Sequence, residues 1–199
     1  MKQKLLLLYI AFSFFACKPE PDRTPDKHIN YYLTAEQLAK TPYFTNPAFD
    51  TLTFVSNQND TVVFAKTRVD SGWYKLTDMD VGREYLIFNY YQQLTAKYQT
   101  IKGEGSFEVV HSKRINNGNT DMLKIVFNNY NFTFGDQVIG NMLHPNYKEL
   151  IQINNNIFEF IISVKTDNPS ENIEGYINKK YGIFYILDKS KGLEFLITK

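Results

Sequence analysis

The sequence predicts one antiparallel all-β domain, built as a sandwich, a roll or a partly open barrel, with one short helix near its start. Three observations carry this. From residue 51 onward apolar and polar residues alternate with a period of two, the mark of strands with one buried face. Clusters of Asn, Asp and Gly recur between those runs, where tight turns belong. No long helical stripe separates them, and parallel strands need crossovers of a dozen or more residues, usually helical. Between the three architectures the pattern leans to the sandwich or roll.

The elements follow in order. Thr34 is placed to cap a helix, with Gln37 at the capping-box position, Leu38 as an apolar contact and Pro42 as a stop. Leu52 and Phe54 alternate with threonines, and residues 57–60 turn the chain into a strand over residues 61–67. The longest alternation puts Leu86, Phe88, Tyr90, Leu94, Ala96 and Tyr98 on one face and Asn89, Gln93, Thr95, Lys97 and Gln99 on the other; Tyr85, Ile87 and Tyr91 break it at the start, where cover on both faces is expected. Residues 107–115 and 122–127 flank Asn116, Asn117, Gly118 and Asn119, which tolerate the positive φ of a hairpin turn. Phe132 and Phe134 mark a short strand. Residues 150–153 and 157–165 flank three asparagines, with Phe158, Phe160, Ile162 and Val164 assigned to one face. Residues 167–170 break the pattern, and strands over 181–187 and 193–198 close the chain around a turn at 188–192.

The first residues read differently. Lys2 and Lys4 precede an apolar run over residues 5–16, the length of a signal-peptide core and too short to span a membrane comfortably. The run ends in Phe14, Phe15, Ala16 and Cys17, which resembles a lipobox, where a small residue and then Cys mark cleavage and acylation. Phe14 departs from the usual Leu three residues before the cysteine. Cys17 is the single cysteine of the chain, so it has no internal disulfide partner, and an unpaired thiol in an exported protein calls for a role such as acylation. The expected organisation is a signal peptide over residues 1–16, a lipidated tether over 17–30 rich in Pro and charge, and a single β domain over 31–199.

The lipobox, the acidic residues after Cys17, the early Tyr31, Tyr32, Leu33, Thr34 and the closing run from Tyr176 through Gly182 and Ile183 together resemble small Bacteroidetes-type outer-membrane lipoproteins. That resemblance implies a membrane anchor at Cys17 and a domain at the periplasmic face or the cell surface. Asp50, Thr51, Leu52 and Asp60, Thr61, Val62 are similar to the Asp-Thr-apolar acceptor of Bacteroidetes-type O-glycosylation, which would modify Thr51 and Thr61; both positions also suit strand starts.

The formal charge of +1, about −1 once Lys2 and Lys4 are removed, and the absence of a basic cluster argue against a nucleic-acid partner. Aromatic residues make up 16% of the chain, but Phe, Tyr, Ile, Asn and Lys share A/T-rich codons, so abundance alone marks no binding surface. His28, His111 and His144 are scattered, and no metal or cofactor is expected. Asp78, Asp80 and Gly82 make an acidic turn without the further ligands of a calcium loop. Gly103, Glu104, Gly105 and Ser106 match neither a nucleophile elbow nor a phosphate loop. Glu104, Glu149 and Glu159 cannot be paired as acid and base from sequence. Trp73 with Tyr74 is the chain's one Trp-containing aromatic pair, suited to stacking on a sugar or a partner, or to a strand edge. The expectation is a non-catalytic interaction module for an envelope protein, glycan or lipid. Its alternative is a carrier whose Leu86 to Tyr98 face lines a cavity for an apolar ligand. An enzyme would require a polar cleft joining His111 or His144 to carboxylates.

Overall fold

The computed structural model describes residues 26–78, 85–113, 121–135, 138–139 and 141–198. It is an antiparallel all-β protein with little helix, as its alternation and turn chemistry predict. The chain divides into a small unit, with described residues 26–29, 75–78 and 85–89, and a large unit holding the rest.

The small unit contains the start of β1 (Lys27–Tyr31) and the first residues of β4 (Ile87–Lys102). The Lys27 N–H donates to the Leu86 carbonyl at 2.9 Å, and the Leu86 N–H to Asp26 Oδ1 at 2.9 Å. The Phe88 ring lies 5.1 Å from the His28 ring and 3.7 Å beneath Lys75 Nζ, a cation–π geometry. Residues 27–30, read from sequence as the end of the tether, therefore run in a strand. Half-buried Ile29 and Tyr31 alternate there with exposed His28 and Asn30, the two-residue period of a ladder. No proline lies between Pro25 and the end of β1 to remove a ladder donor.

In the large unit the short helix α1 (Ala35–Leu38) carries the full capping box, with Thr34 Oγ1 accepting from the Gln37 N–H and Gln37 Oε1 from the Thr34 N–H. A 3₁₀ turn (Pro47–Phe49), capped by Asn46, leads into the sheet. The remaining strands are β2 (Thr51–Ser56), β3 (Thr61–Asp78), β5 (Phe107–Ser112), β6 (Met122–Phe127), β7 (Tyr130–Gly135), β8 (Tyr147–Ile153), β9 (Asn156–Lys165), β10 (Ile173–Asn178), β11 (Gly182–Asp188) and β12 (Leu193–Thr198). They form one continuous sheet in the order β7-β6-β5-β4-β3-β2-β12-β11-β10-β9-β8. Along this path neighbouring strands are successive except at the β2–β12 seam, where Phe54 pairs with Ile197, and off it β1 pairs with β4.

The sheet curls within this unit. Asp167, just past β9, donates its N–H to the Asn131 carbonyl at 2.8 Å. Its carboxylate accepts from the Thr133 N–H at 2.8 Å and the Thr133 hydroxyl at 2.7 Å. These bonds bring the β7 edge against the end of β9. The single curled sheet is a half-barrel, the partly open barrel of the three architectures, in place of the sandwich or roll to which the pattern leans.

The concave side is filled with rings. Phe54, Phe64, Phe107 and Phe127 are fully buried and meet edge-on or tilted, with Phe54 and Phe127 centroids 4.9 Å apart. Tyr43 enters this core from the segment after α1, and Tyr98 hydrogen-bonds the Phe49 carbonyl at 3.0 Å. Burying each such ring contributes about 1.5–3 kcal/mol.

Two alternation patterns differ from expectation. On β4, Ala96 and Tyr98 are buried opposite Val109 and Phe107, but Leu86, just before the strand, is 39% exposed; Tyr91, of the opposite parity, is buried, as its break in the alternation implies. Tyr91 is covered because its ring is stacked between Tyr31 and Tyr74. On β9, Phe158, Ile162 and Val164 face inward as expected, whereas Phe160 is 48% exposed. Its φ of +53° breaks the pleat and shifts burial to Ile161. The left-handed conformation costs an L-residue about 1–2 kcal/mol.

At the β11–β12 turn, buried Asp188 accepts from the Tyr130 hydroxyl at 2.9 Å, the Ser190 N–H at 3.0 Å, the Ser190 hydroxyl at 2.5 Å and the Lys191 N–H at 3.1 Å. Burial alone would raise its pKa, but these donors and Lys191 Nζ outweigh it and hold the carboxyl at about 2. A depressed folded pKa stabilises above the unfolded value near 4 and is lost as pH falls toward 2. Allowing for solvent around the Lys191 arm, the contribution is about 1–2 kcal/mol. Thermal melts from pH 5 to pH 2 should show the wild type losing that amount relative to Asp188→Asn; parallel curves would refute it.

Candidate functional site

The strand period decides where the aromatic pair on β3 points. Successive side chains leave opposite faces of a strand, so Trp73 and Tyr74 separate. Trp73 is 45% exposed and meets the ring of Tyr32, itself 58% exposed, at 5.0 Å and 89°. The two rings make an open right-angled corner. Tyr74 turns the other way and stacks on Tyr91 at 5.2 Å, while Tyr31 stacks on the far side of Tyr91 at 4.8 Å. The Tyr74 hydroxyl donates to the Lys113 carbonyl.

This backing fixes the corner. Leu33, next to Tyr32, donates its N–H to Gln92 Oε1 at 2.9 Å, and Gln92 Nε2 reaches Ser71 Oγ at 3.4 Å. Ser71 lies two residues before Trp73 and thus on the same strand face. The corner accordingly combines two aromatic surfaces with uncharged hydrogen-bonding groups from Tyr32, Ser71 and Gln92. Lys113, whose carbonyl anchors Tyr74, forms an ion pair with buried Asp121 at 3.3 Å, and Asp121 also accepts from Gln37 Nε2 on α1. Helix α1 and the end of β5 are thereby held together beneath the site.

The other candidate residues disperse. Cys17 and the signal segment lie outside the described residues, as do residues 79–84 of the acidic turn and residues 114–120 between β5 and β6. Thr51 is exposed at the first position of β2, beside an Asp50–Lys66 ion pair of 2.6 Å, and Thr61 is half-buried opposite Val55. His111 is fully buried opposite Leu94, with its ring 6.2 Å from Phe44. His144 Nδ1 accepts the Asn146 N–H at 3.2 Å. Ser106 donates its hydroxyl to the Asn128 carbonyl at 2.9 Å in the turn between β4 and β5. Glu104, Glu149 and Glu159 are exposed. Among the described residues no three His, Asp or Glu side chains converge as metal ligands, and no helix is long and apolar enough to cross a membrane.

Sequence reasoning finds Trp73 and misses Tyr32, Ser71 and Gln92. The Leu33–Gln92 bond spans 59 residues. The one local signal is the Tyr31–Tyr32 pair, whose alternate residues place one ring in the stack and one at the corner. Comparison with protein-family models, with curated proteins and with solved structures returns no match.

Proposed function

We propose that the chain is a lipid-anchored envelope protein whose β domain is a non-catalytic binding module, with the Trp73–Tyr32 corner as its contact surface for a glycan. The lipobox-like run ending at Cys17 supports the anchor. The exposed right-angled pair of rings supports the binding role, and it is the observation on which the reading rests. A sugar ring offers an apolar C–H face for the indole and hydroxyls for Ser71, Gln92 and the Tyr32 hydroxyl, and aromatic side chains with a polar tip suit surfaces of this kind. Half-buried and stacked, Tyr74 positions the corner instead of touching a ligand. The carrier alternative placed its ligand behind the Leu86 to Tyr98 face. There, Tyr98 packs on Phe107 at 5.1 Å and Ala96 pairs with Val109, so side chains occupy that space.

Trp73 is the chain's single tryptophan, so its fluorescence reports directly on this site. Titration with neutral envelope oligosaccharides should shift or quench the emission saturably, and Trp73→Ala should weaken binding at least about tenfold, or 1.4 kcal/mol. Emission unmoved across a broad panel of glycans would overturn the assignment.

A further inference from the structure

A second surface lies on the large unit, where β9 meets the turn between β10 and β11. Two adjoining pockets of about 190 and 230 Å³ share Ile157, Phe158 and Tyr181 as walls. The wall they share is aromatic and aliphatic. Phe158 is buried, stacked on Phe184 at 4.3 Å and met edge-on by Tyr181 at 5.8 Å. Asn178 clamps the two sides together, donating to the Glu159 carbonyl at 3.2 Å and accepting the Tyr181 N–H at 2.8 Å.

The rim carries an unusual pair of apolar side chains. Ile157 is 63% exposed and Phe160 is 48% exposed. Phe160 holds its outward position through a left-handed φ of +53°, a conformation in which a bulky side chain is an outlier and glycine or asparagine is at ease. Such strain collects at ligand clamps. Neither the core nor the aromatic corner uses it. Lys179 and Lys180 are also exposed along the same groove, against one carboxylate, Glu159, so the rim is net positive.

We propose that this groove binds a free fatty acid, its acyl chain along Ile157, Phe158, Phe160 and Tyr181 and its carboxylate beside Lys179 and Lys180. The apolar wall formed by Ile157, Phe158, Phe160 and Tyr181 selects a hydrocarbon chain, and the charge of the rim selects an anionic head. The proposal is independent of the glycan reading and of Trp73.

The test uses the full-length chain carrying Cys17→Ser, so that no anchor acyl group competes, and laurate below its micelle concentration, followed by calorimetry. Saturable one-to-one binding is expected. Phe160→Gly should weaken it at least tenfold while leaving the melting temperature equal or higher, a combination that a packing role for Phe160 would not produce. Lys179→Glu with Lys180→Glu should remove the preference for laurate over dodecanol. Absence of saturable laurate binding, or laurate binding unchanged in Phe160→Gly, overturns the site. So does a lower melting temperature in Phe160→Gly. Association with phosphatidylglycerol vesicles without laurate binding would replace it with a membrane-contact surface.

Discussion

Replacing Gly182 with alanine is expected to destabilise the protein by about 3–4 kcal/mol, from left-handed strain and from overpacking together. Gly182 opens β11 with a φ of +65°, and a Cβ there would lie 2.5 Å from Tyr43 Cε2 and closer still to the phenol oxygen. Tyr43 cannot retreat. It is fully buried against Phe49 and Phe107, and its oxygen accepts the Ile183 N–H at 2.7 Å. Burial pushes its pKa well up despite that hydrogen bond, so the phenol stays neutral at ordinary pH. Gly192 supplies the control. Its φ is +62° but its surroundings are open, so Gly192→Ala should cost only the strain, about 1 kcal/mol. Equal losses in the two variants, measured by denaturant unfolding, would show that the Tyr43 contact does not matter.

Truncating Phe107 to alanine is the second large loss, about 3–5 kcal/mol. Its ring touches those of Tyr43, Phe54, Phe64, Tyr98 and Phe127, so it joins the inserted Tyr43 segment to β2, β3, β4 and β6. A cavity at such a junction cannot close by moving one neighbour, because each is held by others. Ile157→Ala, at an exposed rim position, should change stability by less than about 0.5 kcal/mol. Comparable losses at the two positions would contradict the placement of the core.

The contrast between those residues also shows what is legible locally. The Thr34–Gln37 box, the asparagines at residues 154–156 and the β5–β6 hairpin follow from neighbours a few residues apart, where backbone chemistry is decided by the side chains in question. Asn154 and Asn155 do take positive φ, as the hairpin reading requires. Alternation alone underestimates β3, which runs to Asp78 beside β4, well past the Thr61–Ala65 span that β2 pairs, whereas its alternation reads as a strand only to residue 67. Phe160 fails for a different reason: its apolar character and its parity both say buried, and only the end of β10 pairing at Ile177 opposite Ile162 releases the backbone to turn outward. At the aromatic corner, Trp73 is visible as a type of residue, but its partner Tyr32 and its brace Gln92 are assembled by strand pairing across dozens of residues.

The β2–β12 seam has a consequence for the time course of synthesis. Asn57 and Gly192, hydrogen-bonded at 2.8 Å at its end, are separated by 135 residues. A nascent chain elongating at about 5–20 residues per second exposes one side of β2 for roughly 7–27 seconds before β12 emerges. Throughout that interval the strand offers unpaired amides and carbonyls beside Leu52 and Phe54, a template for wrong partners. Closure of so distant a pair is intrinsically slow. The newly made chain is therefore a natural client for a holding chaperone, and its yield should depend more on how that edge is shielded than on the stability of the finished sheet.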